Sequence, residues 1–123
     1  MKFLDSSIWL DHLGNTNKES SKIALSEDLL FCSILTLFEV KKKLIKLDLS
    51  EGKVSNSLEF IKNRAIIVNL DEEIVNSAVD ISIKYKLAAI DSLIYSSALS
   101  VNAKLITADN DFSKLENVEV IKK

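Results

Sequence analysis

Four acidic side chains, far apart in the sequence, occupy positions from which they could share one divalent cation. Asp5 and Asp109 directly follow short apolar segments, whereas Glu39 and Asp91 lie near the starts of two predicted helices. If the apolar segments are parallel strands of one sheet, all four carboxylates meet at its carboxyl-terminal edge, where open α/β sheets bind ligands. Carboxylates gathered there raise one another's pKa unless a cation neutralises them. The sequence therefore predicts a cation site.

The available ligand types favour a hard cation over zinc. All-oxygen ligand sets suit Mg²⁺ or Mn²⁺, and the chain has one histidine, His12, and one cysteine, Cys32. We interpret His12 as a surface residue of the first helix and Cys32 as a buried core residue. Such a cation would orient and acidify a water and stabilise the charge of a phosphoryl transition state. The two glycines are far apart, so no glycine-rich phosphate loop competes with this chemistry.

Each carboxylate also has a purely structural explanation, and these alternatives stay open at this point. Asp5 could be a turn residue, and Glu39 could close a capping box with Thr36. Asp91 and Asp109 could both be helix N-caps. These explanations do not account for the fact that all four acids are placed at one edge of the predicted sheet.

The elements that must position these acids alternate between strand and helix. Five apolar segments predict strands, at residues 2–5, 29–33, 65–70, 104–107 and 118–121. Helices are predicted after Ser6 or Ser7, over 18–28, from a cap at Ser33 or Thr36 to about 47, over 54–64, after Asp71, and from Asp91. Gly52 is predicted to interrupt the chain between two of them, and Leu37, Val40, Leu44 and Leu47 to form one buried helical stripe. This alternation predicts an α/β fold with a mostly parallel sheet of about five strands covered on both faces.

Length and composition indicate an ordinary globular chain. Its 123 residues are 47% hydrophobic and 28% charged, which favours a single domain over 1–123. No apolar run reaches the roughly 18 residues that a membrane span requires. Asp5 follows only four residues, so we expect no signal peptide. The single cysteine fits a reducing compartment, and we expect a cytoplasmic protein.

The charge distribution is uneven, although the net charge is only −2. Residues 40–64 carry six lysines and Arg64 against three acids, a balance of +4, between two acidic flanks. A basic segment beside a carboxylate site favours a polyanionic ligand. A solvated, lysine-rich helix face explains the same charges equally well.

Several of these segments together resemble those of a known family. FLDSSIWLDHL, SILTLFEVKKKL, AAIDSLIYSSAL, LITADNDFSKL and the final VEVI are similar, in this order, to the segments of PIN-domain ribonucleases, specifically the small single-domain toxins of the VapC type. The resemblance covers nearly the whole chain. Each segment alone is weakly specific, but all of them in order at these spacings are strongly specific.

The resemblance implies roles for particular residues. Asp5, Glu39, Asp91 and Asp109 would form an acidic quartet around Mg²⁺ or Mn²⁺. Ser7 and Thr107 match hydroxyl positions that orient the first and fourth acids, and Asp111 is similar to an additional acidic position. With Arg64 as the one arginine, contact with the RNA backbone would fall to lysines, above all Lys42, Lys43 and Lys46.

The resemblance also implies a fold, an activity and partners. These are a three-layer α/β/α fold, hydrolysis of RNA phosphodiester bonds, a homodimer, and a cognate antitoxin whose C-terminal segment blocks the site. The alternative is a domain of the same fold that binds metal or partners, or serves RNA processing, with little catalysis and no toxin role. A phosphoryl-transfer domain of the receiver or dehalogenase type is disfavoured, because Asp5-Ser6-Ser7 lacks the required acidic pair.

Overall fold

A computed structural model describes residues 1–122 of the chain. These residues form six α-helices and five short strands, with two helices between successive strands from the first to the fourth, and one 3-10 helix precedes the last strand. In chain order they are β1 Lys2–Leu4, α1 Ser6–Leu13, α2 Lys18–Ala24, β2 Leu30–Ser33, α3 Ile34–Lys46, α4 Glu51–Arg64, β3 Ile66–Val68, α5 Glu72–Tyr85, α6 Ala89–Ser100, β4 Lys104–Thr107, the 3-10 helix Asn110–Phe112 and β5 Val118–Val120. No helix within residues 1–122 has the length and apolar character needed to cross a membrane.

All five strands are parallel, in the order β3-β2-β1-β4-β5. The chain adds β2 and β3 on one side of β1 and then returns to add β4 and β5 on the other side. The order therefore reverses between β1 and β4, and a reversal of this kind opens a crevice at the carboxyl ends of the two strands. Asp5 and Asp109 follow these two strands.

Both faces of the sheet are buried, and neighbouring residues of one strand contribute to opposite faces. In β1, Phe3 and Leu4 are fully buried in separate apolar clusters. In β4, Leu105 joins the cluster of Phe3 and Ile106 joins that of Leu4. Helices α1 to α4 contribute to the Leu4 cluster and α5 and α6 to the Phe3 cluster. The chain thus forms three layers, and the predicted α/β fold with a five-stranded parallel sheet is confirmed.

The predicted break at Gly52 is wrong, because Gly52 lies inside α4. The turn before this helix is made by Asp48, whose φ is 61°, and Ser50 caps the helix by accepting a hydrogen bond from the Lys53 N–H at 3.3 Å. The residues with positive φ are asparagine, aspartate and lysine, and neither glycine is among them. Asn and Asp tolerate this region because their short polar side chains hydrogen-bond locally.

Two other predictions need correction. Helix α3 ends at Lys46, close to the predicted end, but Leu47 is 57% exposed and does not belong to the buried stripe, whereas Val40 and Leu44 are buried as predicted. Helix α2 ends at Ala24 and does not continue to Asp28.

The early end of α2 coincides with a contact from α4. The Arg64 Nε donates to the Ala24 carbonyl at 2.8 Å, and its Nη2 donates to the carbonyls of Ser26 and Asp28. One guanidinium thereby satisfies three carbonyls of the segment that follows α2, which would otherwise lack helical partners. The one arginine of the chain is thus engaged in holding this segment.

We expect Arg64→Met to lower the free energy of unfolding by roughly 2 kcal/mol, because it removes several charge-assisted hydrogen bonds. Urea denaturation of both proteins measures the difference. Lys62→Met is the matched control, since Lys62 makes only an exposed 3.5 Å ion pair with Glu59. Equal losses in the two variants would contradict the capping role.

Candidate metal centre

Asp5 is held by both central strands at the sheet edge. Its backbone N–H donates to the Ile106 carbonyl at 3.0 Å, which extends the pairing of β1 with β4 by one residue. Its Oδ1 accepts from the Ser6 N–H at 2.8 Å, so Asp5 itself is the N-cap of α1, and the predicted caps Ser6 and Ser7 are wrong. The side chain is buried, and burial raises its pKa, offset in part by hydrogen bonds from Thr107, Ser6 and Ser7.

Two hydroxyl groups connect Asp5 to the chain that leaves β4. Thr107 Oγ1 donates to Asp5 Oδ2 at 2.7 Å and accepts from the Asp109 N–H at 3.0 Å. Ser7 Oγ donates to the same Oδ2 at 3.3 Å and accepts from the Ala108 N–H at 3.0 Å. The predicted positioning residues Ser7 and Thr107 therefore contact Asp5 directly and fix the turn that carries Asp109.

Three aspartates form the most compact acidic group within residues 1–122. One carboxylate oxygen from each of Asp91, Asp109 and Asp111 lies within 4.8 Å of the other two. Asp109 caps the 3-10 helix by accepting from the Asp111 N–H at 2.9 Å. Asp111, predicted only as an additional acidic residue, therefore lies in the same group as Asp91 and Asp109, two of the four predicted metal ligands.

Asp91 is the third residue of α6, so the prediction that this helix opens on it is wrong. The N-cap is Ala88, which makes no side-chain capping bond. Burial, followed by the charges of Asp109, Asp5 and Asp111, raises the Asp91 pKa to about 6. Asp91 thus faces the other acids and is not used to cap its own helix.

Glu39 lies in the second turn of α3, one turn later than predicted, because Ser33 caps the helix by accepting from the Leu35 N–H. Its Oε1 is buried and has no hydrogen-bond partner among the described residues. Burial and the Asp5 charge raise the pKa of Glu39 to about 7, with smaller effects from the Ser6 side chain, which lowers it, and from Asp91, which raises it. A buried acceptor without a partner is costly, and a cation would satisfy it.

The four predicted acids thus affect one another electrostatically, although they are not equally close. Asp91 and Asp109 belong to the compact group with Asp111, while Asp5 and Glu39 lie outside it and adjoin it. Carboxylate oxygens, raised pKa values and the unpartnered Glu39 oxygen together fit Mg²⁺ or Mn²⁺. The individual ligand roles stay predictions.

The predicted RNA-binding lysines are exposed on α3. Lys42, Lys43 and Lys46 line a cleft of about 370 Å³ that Glu39 also lines. The cleft therefore adjoins the acidic group through Glu39. Sequence reasoning missed its apolar residues, among them Phe38 and Ile90, although each directly precedes a predicted acid.

The only histidine and the only cysteine are not part of the acidic group. His12 is partly buried, which corrects its assignment to the surface, because its Nδ1 lies 2.9 Å from the Ser21 Oγ and its ring packs against Phe60. Cys32 is fully buried, as predicted, and burial raises its thiol pKa to about 12.

The fold and these side chains define a class of protein, the parallel α/β domains with a cluster of carboxylates at the carboxyl edge of the sheet. The sequence matches the PIN domain family over residues 2–118, and the chain belongs to that family. The resemblance seen in the sequence is thereby confirmed.

Solved structures share the whole fold. A toxin–antitoxin complex from Klebsiella pneumoniae contains a chain that is 23% identical, with a TM-score of 0.80 and coverage of 98% of this chain and 97% of that one. Rickettsia felis VapBC2, bound to a fragment of promoter DNA, contains a chain that is 17% identical, with a TM-score of 0.78 and coverage of 98% of each chain. Mycobacterium tuberculosis VapC20, described as a toxin that cleaves the sarcin–ricin loop, is 14% identical, with a TM-score of 0.78 and coverage of 99% of this chain and 100% of that one. The comparison with curated proteins gives no match.

We expect the metal-free protein to lose stability as the pH rises from about 5 to 8. Asp91 and Glu39 have folded-state pKa values of about 6 and 7, above the ordinary values of 3.8 and 4.5. In this range the folded state binds more protons than the unfolded state, so the free energy of unfolding falls with rising pH. Thermal unfolding in chelator across this range measures the effect.

Asp91→Asn removes one of the repelling charges and should raise the metal-free melting temperature at pH 7.5 by about 2–5 °C. Asp80→Asn, at an exposed position of α5, is the control and should change little. The proposed repulsion between the carboxylates would be refuted if the wild type, Asp91→Asn and Asp80→Asn had the same melting temperature and that temperature did not change between pH 5 and 8.

Proposed function

We propose that this protein is a Mg²⁺- or Mn²⁺-dependent endoribonuclease that acts as the toxin of a VapBC-type toxin–antitoxin pair. The observation that carries the proposal is the group of carboxylates at the edge between β1 and β4, in a PIN-family chain, directly beside a lysine-lined cleft. Acidic groups attract the cation, and ammonium groups attract the phosphate backbone. Their juxtaposition suits the hydrolysis of a phosphodiester bond.

In this proposal Asp91 and Asp109, with Asp5 and Glu39, hold the cation, and Asp111 adds a further carboxylate. The bound cation would supply Lewis-acid stabilisation of the charge that develops on the phosphoryl oxygens. Thr107 and Ser7 orient the Asp5 carboxylate through the hydrogen bonds described above. The buried Glu39 oxygen offers an acceptor with no competing partner among residues 1–122.

RNA is the proposed substrate for two reasons. Lys42, Lys43 and Lys46 lie within one turn and a third of α3, so their ammonium groups form a positive surface beside Glu39. The structurally similar Mycobacterium tuberculosis VapC20 is described as a toxin that cleaves the sarcin–ricin loop. The lysines bind phosphate as point charges, which favours backbone contact over base readout.

The proposed partners are a cognate antitoxin and a second copy of the chain. Several chains of the same fold come from toxin–antitoxin complexes. For the homodimer, Val75, Val79 and Ile83 recur at four-residue steps on α5 and are all exposed, and an unpartnered apolar stripe of this kind favours self-association. We propose the cytoplasm as the compartment, because the unpaired Cys32 suits a reducing environment.

We expect Asp91→Asn to abolish Mn²⁺-dependent cleavage of RNA, a loss of at least 100-fold, because it removes a charge from the centre of the acidic group. Cleavage of a labelled RNA is followed with Mn²⁺ and with chelator, and Asp80→Asn serves as control. Thermal unfolding of the same samples should show that Mn²⁺ raises the melting temperature of the wild type much more than that of Asp91→Asn.

Metal-dependent stabilisation without cleavage of any RNA would favour the alternative, a PIN domain that binds metal or partners without catalysis. Equal cleavage by the wild type and Asp91→Asn would remove Asp91 from the proposed site.

We expect Lys42→Glu combined with Lys46→Glu to weaken RNA binding at least tenfold and to reduce the magnitude of its salt slope by roughly 1.4, since each lost phosphate contact contributes about 0.7 for single strands. Lys18→Glu with Lys22→Glu is the matched control, with the same spacing and charge change on α2. Fluorescence anisotropy at several salt concentrations gives both quantities. If both double variants changed the RNA affinity and the salt slope by the same amount, the RNA-binding surface would not lie on α3.

A further inference from the structure

The cleft beside Glu39 has an apolar floor as well as a charged rim. Leu35, Phe38 and Ile90 supply the apolar surface, and Lys42, Lys43 and Lys46 supply the charges. Its volume of about 370 Å³ is in the range of small-molecule sites, about 300–1,000 Å³. Charge attraction for a phosphate backbone accounts for the lysines but gives no reason for the apolar floor.

Phe38 is the feature of the cleft that most needs an explanation. Its side chain is 57% exposed, whereas Phe3, Phe31 and Phe112 are buried in the core. It directly precedes Glu39, and the other exposed apolar residue of the floor, Ile90 at 42%, directly precedes Asp91. Glu39 lines the same cleft as Phe38 and Ile90, and it adjoins the acidic group without belonging to it. The apolar floor and the proposed site of hydrolysis are thus adjacent on two different helices.

A positive charge lies close to the exposed ring. The Lys42 Nζ is 5.8 Å from the centroid of Phe38, within the range of a cation–π contact. The cleft thus presents an aromatic surface and ammonium groups side by side. A nucleotide has the complementary pair of features, a flat apolar base and an anionic phosphate. Proteins that bind single-stranded nucleic acid combine aromatic platforms with positive grooves in this way.

We propose that Phe38 is a stacking platform for an unpaired nucleobase, next to the phosphate at the acidic group. The inference rests on the proposed nuclease function and specifies its substrate as RNA that is single-stranded at this position. A base within a duplex has both of its faces stacked on neighbours, so its face is not available to Phe38. Phe38 would therefore select structure in the RNA, while the lysines bind the backbone.

The test compares binding of a labelled single-stranded RNA with binding of the same strand annealed to its complement, by fluorescence anisotropy in chelator, so that no cleavage occurs. Phe38→Ala should weaken binding of the single strand about tenfold or more and change duplex binding little. Phe38→Leu, which keeps apolar bulk without a ring, should resemble Phe38→Ala, and Phe38→Trp should restore binding. Ile45→Ala is the control, because Ile45 is equally exposed on α3 but lines a different cleft.

With Mn²⁺ present, Phe38→Ala should raise KM for single-stranded RNA about tenfold and leave kcat within about threefold, because the acidic group is unchanged. Wild-type cleavage with an unchanged KM in Phe38→Ala would overturn the stacking role and leave the nuclease intact. A wild type that neither binds nor cleaves RNA would overturn both proposals. A smaller molar mass of Phe38→Ala by light scattering, with Ile45→Ala unchanged, would assign the floor to a contact between two copies and also overturn the stacking role.

Discussion

Mutual repulsion among carboxylates is the constraint that the rest of this structure has to satisfy. Four segments of the chain deliver acids to one edge of a parallel sheet, and burial raises the pKa of Asp5, Glu39 and Asp91 further. Hydrogen bonds from Thr107 and Ser7 hold the most buried of these acids, and each hydroxyl is itself held by the backbone that follows β4. Packing on both faces of the sheet keeps these groups from separating.

The arrangement costs stability and in return creates a place for a cation. In the proposed metal site, side chains that repel one another in the metal-free protein would become ligands of the divalent ion, so the affinity for the ion would include relief of that repulsion. Glu39 illustrates the exchange, because its buried oxygen lacks a partner among residues 1–122. Under the proposal, an arrangement that is unfavourable in the protein alone would become favourable with the ion bound.

Much of the fold followed from local patterns, and the errors have physical causes. The segment KLIT is the strand β4 as predicted, and Asp71 caps α5 by accepting from the Ile74 N–H. Gly52 was misleading because it lies inside α4, whereas the turn before that helix is made by Asp48 in the left-handed conformation. The order of the acids predicted a group at the sheet edge, but their relative closeness depends on helix positions that the sequence does not specify, so the closeness of Asp111 to Asp91 and Asp109 was not predicted. The apolar floor went unnoticed because exposure of Phe38 is a tertiary property.

The hydrogen bond between Thr107 and Asp5 spans 102 residues, and β1 lies in the middle of the sheet. Strand β1 must therefore wait for β4 to be made and paired before Asp5 and Asp109 can be brought together. During translation, an emerging chain carries Asp5 and Glu39 without Asp91 or Asp109, and contacts of such long range form late in folding. If the chain is the ribonuclease proposed above, its site could not act on RNA until the segment that carries Asp91 and Asp109 had been made and had folded.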